Sequence, residues 1–310
     1  MFSNLTSSHS SNITNVFSNT TTEGSKTKLP LEVTVSMTVI VNSITCPFTV
    51  LLNVLVIMAV KRRPRLRSKA NILLACLAAT DAATGLTAQP SFILWFSAQL
   101  LGVKNLVPFR VIHNFFMRSL SVCSCLHLML VTCERLIAIK FTLKYIYIVN
   151  TQKLKVAVIC CWIFSIFCEI LRKIRYTLKA ADFLIALAVI SCILFVSSSY
   201  VILYRETLRH QKKIKAQQLP HEEAERFAKE SKALKTTVLV VFSVTICYLP
   251  LFFVFSSFVK GLPEIVYSPP MIRTLAMLNS FLNPLIYCWR QKEMRKFVFR
   301  IRNQAVNPAN

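Results

Sequence analysis

The sequence predicts an all-α membrane protein, a bundle of seven transmembrane helices followed by a short amphipathic helix on the inner leaflet. The first observation is composition: 54% of the 310 residues are apolar, above the roughly 45–50% of soluble domains, and mean hydropathy is +0.53. The second is the set of long uncharged stretches. The third is the placement of basic residues in alternate loops.

Four stretches carry no charged residue and exceed the roughly 20 residues that cross a bilayer: Val33–Val60, Ala82–Val103, Phe183–Tyr204 and Thr236–Val259. Three more candidates contain a charged residue or a proline, and they lie at about 106–139, 154–174 and 265–288. Six spans are the alternative count, because Glu169 and Arg172 interrupt the fourth.

The polar N-terminal segment indicates an outside location. It has no apolar core of the kind that a cleaved signal peptide needs. It carries three glycosylation sequons, at Asn4, Asn12 and Asn19. Residues 1–32 are therefore expected to form a glycosylated extracellular tail, ahead of a membrane domain at 33–288 and a cytoplasmic segment at 289–310.

The basic residues behind the formal net charge of +24 are concentrated in a few segments between the spans and in the tail. The loop "KRRPRLRSK" at 61–69, the loops at 140–155 and 205–232, and the C-terminal tail are rich in Lys and Arg. Basic residues collect on the cytoplasmic side, so we expect a multi-pass plasma-membrane protein with the N-terminus outside and the C-terminus inside. The long spans argue against a nucleic-acid partner.

The remaining composition argues against an enzyme. All eleven cysteines fall inside or at the edge of predicted spans, where they behave as small apolar residues. No cluster shows metal-ligand spacing or a nucleophile–base pair, so no catalytic residue, metal or organic cofactor is expected.

Polar residues inside the spans mark the candidate sites. Asp81 lies within "LACLAATDAATG", and a carboxylate inside a membrane indicates function by default. Asn53, Ser124, Asn279 and Asn283 offer oxygen ligands from other spans. The group suits a small cation or a proton. Ser280 and Pro284 belong to the same polar run, and Pro284 frees a backbone carbonyl.

A second group lies at the predicted inner ends of the spans. Glu134 and Arg135 end the third span, and Glu230 precedes the sixth. Arg135 is placed to pair with both acids. Ordinary snorkelling of these side chains to the interface is the alternative.

Together these motifs resemble the rhodopsin-like (class A) G-protein-coupled receptors over residues 33–302. The resemblance rests on Asn53 and on six further features in the expected order: "LAATD" (77–81), "ERL" (134–136), Trp162, Tyr200, "CYLP" (247–250) and "NPLIY" (283–287). It implies an extracellular ligand, a heterotrimeric G protein as partner, and membrane lipid around the bundle.

The resemblance also implies roles for individual residues. Asp81, Ser124, Asn279 and Asn283, with Asn53, match an allosteric sodium site. An activation switch is matched by Glu134, Arg135, Glu230, Tyr200, Tyr248, Pro250 and Tyr287. Arg135 and Leu143 match contacts to the G protein.

Several departures from the family pattern bear on signalling. Leu136, Cys192 and Tyr248 replace the usual Tyr, Pro and Trp, and Arg110 stands where the family has a disulfide cysteine. Arg110 and Cys192 at these positions, with a nearly absent loop at about 174–180 that has no Cys, are similar to the melanocortin, cannabinoid, lysophospholipid and adenosine group. Positions that are acidic in melanocortin receptors are here Ser91, Arg110 and Asn114.

The ligand is expected to be anionic or lipid-like. Met117 replaces the Asp of amine receptors, and Met277 replaces the retinal-binding Lys. The expected pocket residues are Gln89, His113, Asn114, Met117, Arg118, Ser121, Phe252, Phe255 and Arg273. The two arginines favour an anion; internal pairing, for instance with Glu169, is the alternative.

Met294, Phe297, Val298 and Ile301 recur at helical spacing among basic residues, which predicts the amphipathic helix. A seven-span transporter built on Asp81 and a receptor homologue that does not signal remain the alternative functions.

Overall fold

A computed structural model describes residues 6–141, 144–174 and 270–290, and shorter pieces at 187, 190–192, 194–206, 208–209, 239, 242–243, 245–248, 250 and 293–297. Within these ranges the chain is helical and has no strand. Four described helices are long and apolar enough to cross a membrane: Glu32–Arg62, Lys69–Leu100, Val107–Lys140 and Thr151–Leu171.

The first span lies in α1 (Thr6–Arg62). A 3₁₀ turn at Pro64–Leu66 leads to the second span, which consists of α2 (Lys69–Ala83), a π-helical turn (Thr84–Ala88) and α3 (Gln89–Leu100). Asp81 lies well inside this span, because the helix begins twelve residues before it rather than at Ala82. Ser68 caps the start: its Oγ accepts from the N–H of Asn71 at 3.3 Å.

Gly102 ends the second span. Its φ of +73° lies in the left-handed region that favours glycine. The N–H of Val103 donates to the carbonyl of Ala98 at 3.0 Å, and the N–H of Gly102 donates to that of Gln99. The helix therefore ends at Leu100, close to the predicted boundary.

The third span is α4 (Val107–Lys140), followed by the short α5 (Tyr145–Ile148) and by α6 (Thr151–Ile174), which contains the fourth span. The seventh span is α7 (Pro270–Arg290). It carries the polar run that includes Asn279 and Asn283. The predicted fifth and sixth spans are described only in part, with helical residues at 194–206 and 245–248.

The π turn follows from a proline. Pro90 has no N–H, so the ordinary helical hydrogen-bond ladder cannot continue past it. The N–H of Gln89 donates instead to Thr84, five residues back. The carbonyl of Gly85 accepts from the thiol of Cys46 in α1 at 3.1 Å. The second span thus bulges at a contact with α1.

Two apolar clusters fill the bundle. The inner cluster joins α1, α2, α4 and α7 and includes the three predicted switch tyrosines, Tyr200, Tyr248 and Tyr287, all buried. The outer cluster surrounds Phe92, which is fully buried. Many apolar side chains of α1 and α6 face outward, as expected of helices in lipid.

The C-terminal residues 293–297 are helical, but their apolar side chains do not face outward. Met294 and Phe297 are buried in the inner cluster with Val60 and Leu66. The guanidinium of Arg63 lies 5.7 Å from the ring centroid of Phe297. The predicted amphipathic segment therefore docks on the bundle through these two residues; Val298 and Ile301 lie outside the described residues.

The close approach at Gly85 gives a prediction. A Cβ there would lie 2.8 Å from Cγ2 of Val50 and 3.2 Å from the backbone N of Val50. Val50 is β-branched and has little rotamer freedom. Gly85→Ala should destabilise the protein by about 1–3 kcal/mol, measured by thermal unfolding in detergent.

Leu86→Val is the control, because Leu86 is 64% exposed on the outside of the bundle. If Gly85→Ala unfolds at the same temperature as this control, the close contact between the first and second spans is wrong.

Candidate functional site

Asp81 lies at the centre of a polar junction between three helices. Its side chain is fully buried. The hydroxyl of Ser280 donates to Oδ1 at 2.7 Å, and Nδ2 of Asn283 donates to Oδ2 at 2.8 Å. Ser280 and Asn283 are three residues apart and so share one face of α7. The polar residues of α7 thus satisfy the carboxylate of α2, as the sequence suggested.

Asn53 completes the junction from α1. Its Nδ2 donates to the backbone carbonyl of Ser280 at 3.0 Å and to that of Thr49 at 2.8 Å. Ser280 is four residues before Pro284, which has no N–H to offer. Asn53 therefore supplies the donor that the proline removes. It reaches Asp81 only through Ser280, and the hydrogen bonds described for it do not include a direct bond to the carboxylate.

The junction keeps unused acceptor capacity. Among the described residues, Oδ1 of Asn53, of Asn279 and of Asn283 has no hydrogen-bond partner, and all three residues are buried. A carboxylate has about four lone-pair directions, of which Ser280 and Asn283 engage two. Ser124 is also buried. The arrangement is rich in oxygen acceptors and suits a small cation.

A small cavity lies beside the junction. It measures about 10 Å³, close to the least that one water needs. Two of the expected ligand residues, Met117 and Ser121, line it together with Tyr248 and Ser280. The remaining lining residues are Thr84, Ala88, Leu120, Ala276 and Met277.

Other expected ligand residues lie at helix contacts instead. Nε2 of Gln89 donates to Oγ1 of Thr45 at 3.0 Å, which directs Gln89 at α1 rather than at the cavity. Nδ1 of His113 lies 3.1 Å from the carbonyl of Ala88, and its ring packs on Trp95 at 5.6 Å between centroids. His113 is fully buried.

Asn114 and Trp95 both contact the buried guanidinium of Arg273. Its Nη1 donates to Oδ1 of Asn114 at 2.6 Å, and its guanidinium lies 5.1 Å from the ring centroid of Trp95. The side chain is 5% exposed. The amide oxygen and the indole face orient the guanidinium near the N-terminal end of α7.

Asn42 joins α1 to α7 and was not among the residues predicted to form a site. Its Nδ2 donates to Oγ1 of Thr274 in α7 at 2.9 Å and to the carbonyl of Thr38. Nε2 of Gln89 lies 3.4 Å from its Oδ1. Thr38, Asn42, Thr49 and Asn53 are all buried, and their four- to seven-residue spacing puts them on one face of α1. That spacing was the available signal.

At the inner end of α4, Glu134 has two partners. Nε of Arg135 lies 3.2 Å from its Oε2, and the hydroxyl of Tyr145 donates to its Oε1 at 2.5 Å. Lys69 of α2 lies 4.8 Å from the ring centroid of Tyr145 and donates to the carbonyl of Val149. The segment that follows α4 is thereby held against α2 and α4.

Several expected site residues lie outside the described residues: Glu230, Leu143, Phe252, Phe255 and the sequon residue Asn4. Of the sequon residues Asn12 and Asn19, only the backbone is described. Pro250 is described in a turn, and Arg118 in α4. The described part of the chain holds no group of three His, Cys, Asp or Glu side chains suited to a metal ion.

Comparison with known proteins gives a family match over most of the chain. The family "7 transmembrane receptor (rhodopsin family)" matches residues 52–183 and 166–287. Melanocortin receptor 5 of Mus musculus is 28% identical over 257 residues, which cover 79% of this chain and 77% of that receptor. Adenosine receptor A2a of Canis lupus familiaris is 25% identical over 279 residues, 79% of this chain and 66% of that receptor.

The Tyr145–Glu134 bond gives a prediction for the inner end. Tyr145→Phe keeps the ring beside Lys69 and removes only the hydroxyl. We expect a loss of about 1.5–3 kcal/mol, typical of a hydrogen bond to a charged group, measured by thermal unfolding of the purified protein.

Tyr147→Phe is the matched control, since Tyr147 lies in the same short helix and is 83% exposed. Equal unfolding temperatures for the two variants would contradict a stabilising bond between Tyr145 and Glu134.

Proposed function

This chain belongs to the rhodopsin family of seven-transmembrane receptors, and we propose that it binds an extracellular ligand and activates a heterotrimeric G protein. The ion pair between Arg135 and Glu134 carries this proposal. In this family, by resemblance, the pair holds the receptor inactive and the freed arginine meets the G protein. Here it lies at the inner end of α4, as that role requires.

The proposed topology has seven spans, with residues 183–204 and 236–259 as the fifth and sixth. Residues 1–32 form a glycosylated extracellular tail, and residues 289–310 lie in the cytoplasm. The basic loop at 61–69 and the basic tail support this orientation. So does the burial of Met294 and Phe297 beside that loop. The plasma membrane is the proposed location.

Activation is proposed to open the inner end of the bundle. Arg135 exchanges its contact with Glu134, and with Glu230 just before the sixth span, for the G protein, while Leu143 adds an apolar contact. Tyr200, Tyr248 and Tyr287 share the inner cluster, so a movement of the sixth span about Pro250 would repack all three. The ligand drives this change only by its higher affinity for the open state.

The experiment needs no ligand. The natural chain, Glu230→Ala and Arg135→Ala are expressed at matched surface levels, and basal activation is recorded across a panel of G proteins. We expect Glu230→Ala to raise the basal signal of one G protein and Arg135→Ala to abolish it. Three silent proteins at the cell surface would contradict coupling and favour the homologue that does not signal.

We further propose that the Asp81 junction holds Na⁺. The three unpartnered amide oxygens and the carboxylate fit a hard cation. Asp81, Asn279, Asn283 and Ser124 would hold the ion, and Asn53 would support them through Ser280. Such an ion supplies the positive charge that a buried carboxylate otherwise lacks, and it favours the closed bundle.

Sodium should therefore stabilise the purified protein. A cation that binds only the folded state raises the unfolding temperature with its concentration. We expect a rise in NaCl relative to choline chloride at equal ionic strength, and no rise for Asp81→Asn.

Glu134→Gln is the control, because it removes a different buried carboxylate and should keep the sodium effect. An undiminished effect in Asp81→Asn would place the ion elsewhere.

The proposed ligand is anionic or lipid-like. Arg273 is buried in the outer half of the bundle and oriented by Asn114 and Trp95. A carboxylate or phosphate would find an aligned cation there. The ligand named for melanocortin receptors is not transferred, since Ser91, Arg110 and Asn114 replace acidic positions. Adenosine is not transferred either, because this chain is only 25% identical to the adenosine receptor A2a.

Arg273→Gln should lower the potency of any carboxylate- or phosphate-bearing agonist by about tenfold to a hundredfold, the loss of one charge-assisted hydrogen bond. The measurement is a dose–response curve for hits from a panel of acidic lipids.

Lys104→Gln removes an equal charge from an exposed outer loop and should leave potency within about twofold, as usual for exposed charges. Equal losses in the two variants would mean that Arg273 acts only through the general field, and the anionic-ligand proposal would fail.

A further inference from the structure

The first inner loop concentrates positive charge at the membrane boundary. Six of the nine residues in "KRRPRLRSK" are basic, and none is acidic. The loop lies between the end of α1 at Arg62 and the start of α2 at Lys69. Both helices span the membrane, so the loop is confined to the level of the lipid headgroups.

The loop has a fixed shape. Leu66 is buried in the inner cluster and anchors its middle. The N–H of Arg67 donates to the carbonyl of Pro64 at 3.0 Å, and Nη2 of Arg67 donates to the carbonyl of Lys61 at 2.6 Å. These bonds bring the two ends of the loop together, which concentrates its cations in a small area.

The cations of the loop divide into two groups. Arg63 lies over the ring of Phe297, and Lys69 is directed at Tyr145 and Val149, so these two serve the fold. The other four are exposed: Lys61, Arg62, Arg65 and Arg67. Of these, Arg67 also closes the loop through its bond to the carbonyl of Lys61.

The C-terminal segment extends the same surface. Met294 and Phe297 are buried beside Leu66 and Arg63, which brings residues 293–297 against the loop. Arg295 and Lys296 are exposed. Oε1 of Glu293 lies 3.7 Å from Nζ of Lys296, so Glu293 offsets the charge of Lys296. Two segments that are far apart in the sequence thus form one basic surface.

We propose that this surface, made by Lys61, Arg62, Arg65, Arg67 and Arg295, binds the headgroup of a polyphosphorylated inositol lipid of the inner leaflet. Clusters of cations next to a spanning helix attract anionic lipids. Arginine matches phosphate oxygens with its planar fork, and three or more arginines close together suit a headgroup with several phosphates better than one with a single charge.

A bound headgroup would link the first loop to the C-terminal segment. It would thereby stabilise the arrangement in which residues 293–297 lie against that loop. The proposal rests on the cytoplasmic placement of this end, but it does not depend on coupling to a G protein. Binding to purified protein can therefore fail while the receptor function stands, and the reverse also holds.

The test uses the full-length protein in nanodiscs of phosphatidylcholine. Binding of a fluorescent phosphatidylinositol 4,5-bisphosphate is titrated for the natural chain, for Arg62→Gln/Arg65→Gln, and for Lys153→Gln/Lys155→Gln. The last pair is a matched control, since both lysines are exposed and lie at the start of α6 rather than in the first loop. Thermal unfolding establishes that each variant is folded.

We expect Arg62→Gln/Arg65→Gln to weaken binding by about tenfold or more and the control to change it by less than about twofold. If the double variant does not fold, Arg65→Gln alone is expected to weaken binding by about fivefold, because one of the clustered charges is lost.

Three results would overturn the proposal. Equal weakening by the control pair would mean that the lipid responds to the general positive charge of the inner side. Equal affinity for phosphatidylserine at matched total charge would remove the preference for several phosphates. Equally tight binding of soluble inositol trisphosphate would assign the surface to a free phosphate rather than to a lipid.

Discussion

The carboxylate of Asp81, buried among three helices, is the constraint on which the described part of the bundle depends. A charge in a membrane interior is tolerated only where donors or a cation meet it. Ser280 and Asn283 meet it from α7. Because the carboxylate cannot face lipid, it fixes which face of α7 turns toward α2. The positions of Tyr287 in the inner cluster and Met277 in the outer one follow from that orientation.

α1 donates hydrogen bonds to two carbonyls that prolines in other helices leave without a helical donor. Pro284 leaves the carbonyl of Ser280 without a helical donor, and Asn53 supplies one. Pro90 leaves the carbonyl of Gly85 in the same state, and Cys46 supplies a thiol. Each bond joins α1 to a helix that would otherwise carry an unsatisfied group in the membrane. The π bulge and the proline inside α7 are thereby tolerated, and both lie next to the proposed ion site.

The sequence predicted these features to different degrees. Hydropathy was sufficient for the first span, since a long uncharged run has one structural solution in lipid. It left the fourth span open, because Glu169 and Arg172 interrupt that run. Asp81 and Asn283 were predictable because intramembrane polar groups must pair. The direction in which the Gln89 side chain points was not predictable. The π bulge just before Gln89 rotates the helix and so changes which residues face α1. Tyr145 was also missed: its bond to Glu134 depends on a short helix that has no periodicity to read.

An exchange of charge across the junction tests the central claim most directly. Asp81→Asn, Asn283→Asp and the double variant are compared by thermal unfolding at one fixed salt concentration. If one carboxylate shared between α2 and α7 joins the helices, the double variant restores the pair in reverse and recovers most of the stability that each single variant loses. If the two losses simply add, the carboxylate does not join these helices, and the account of the junction is wrong.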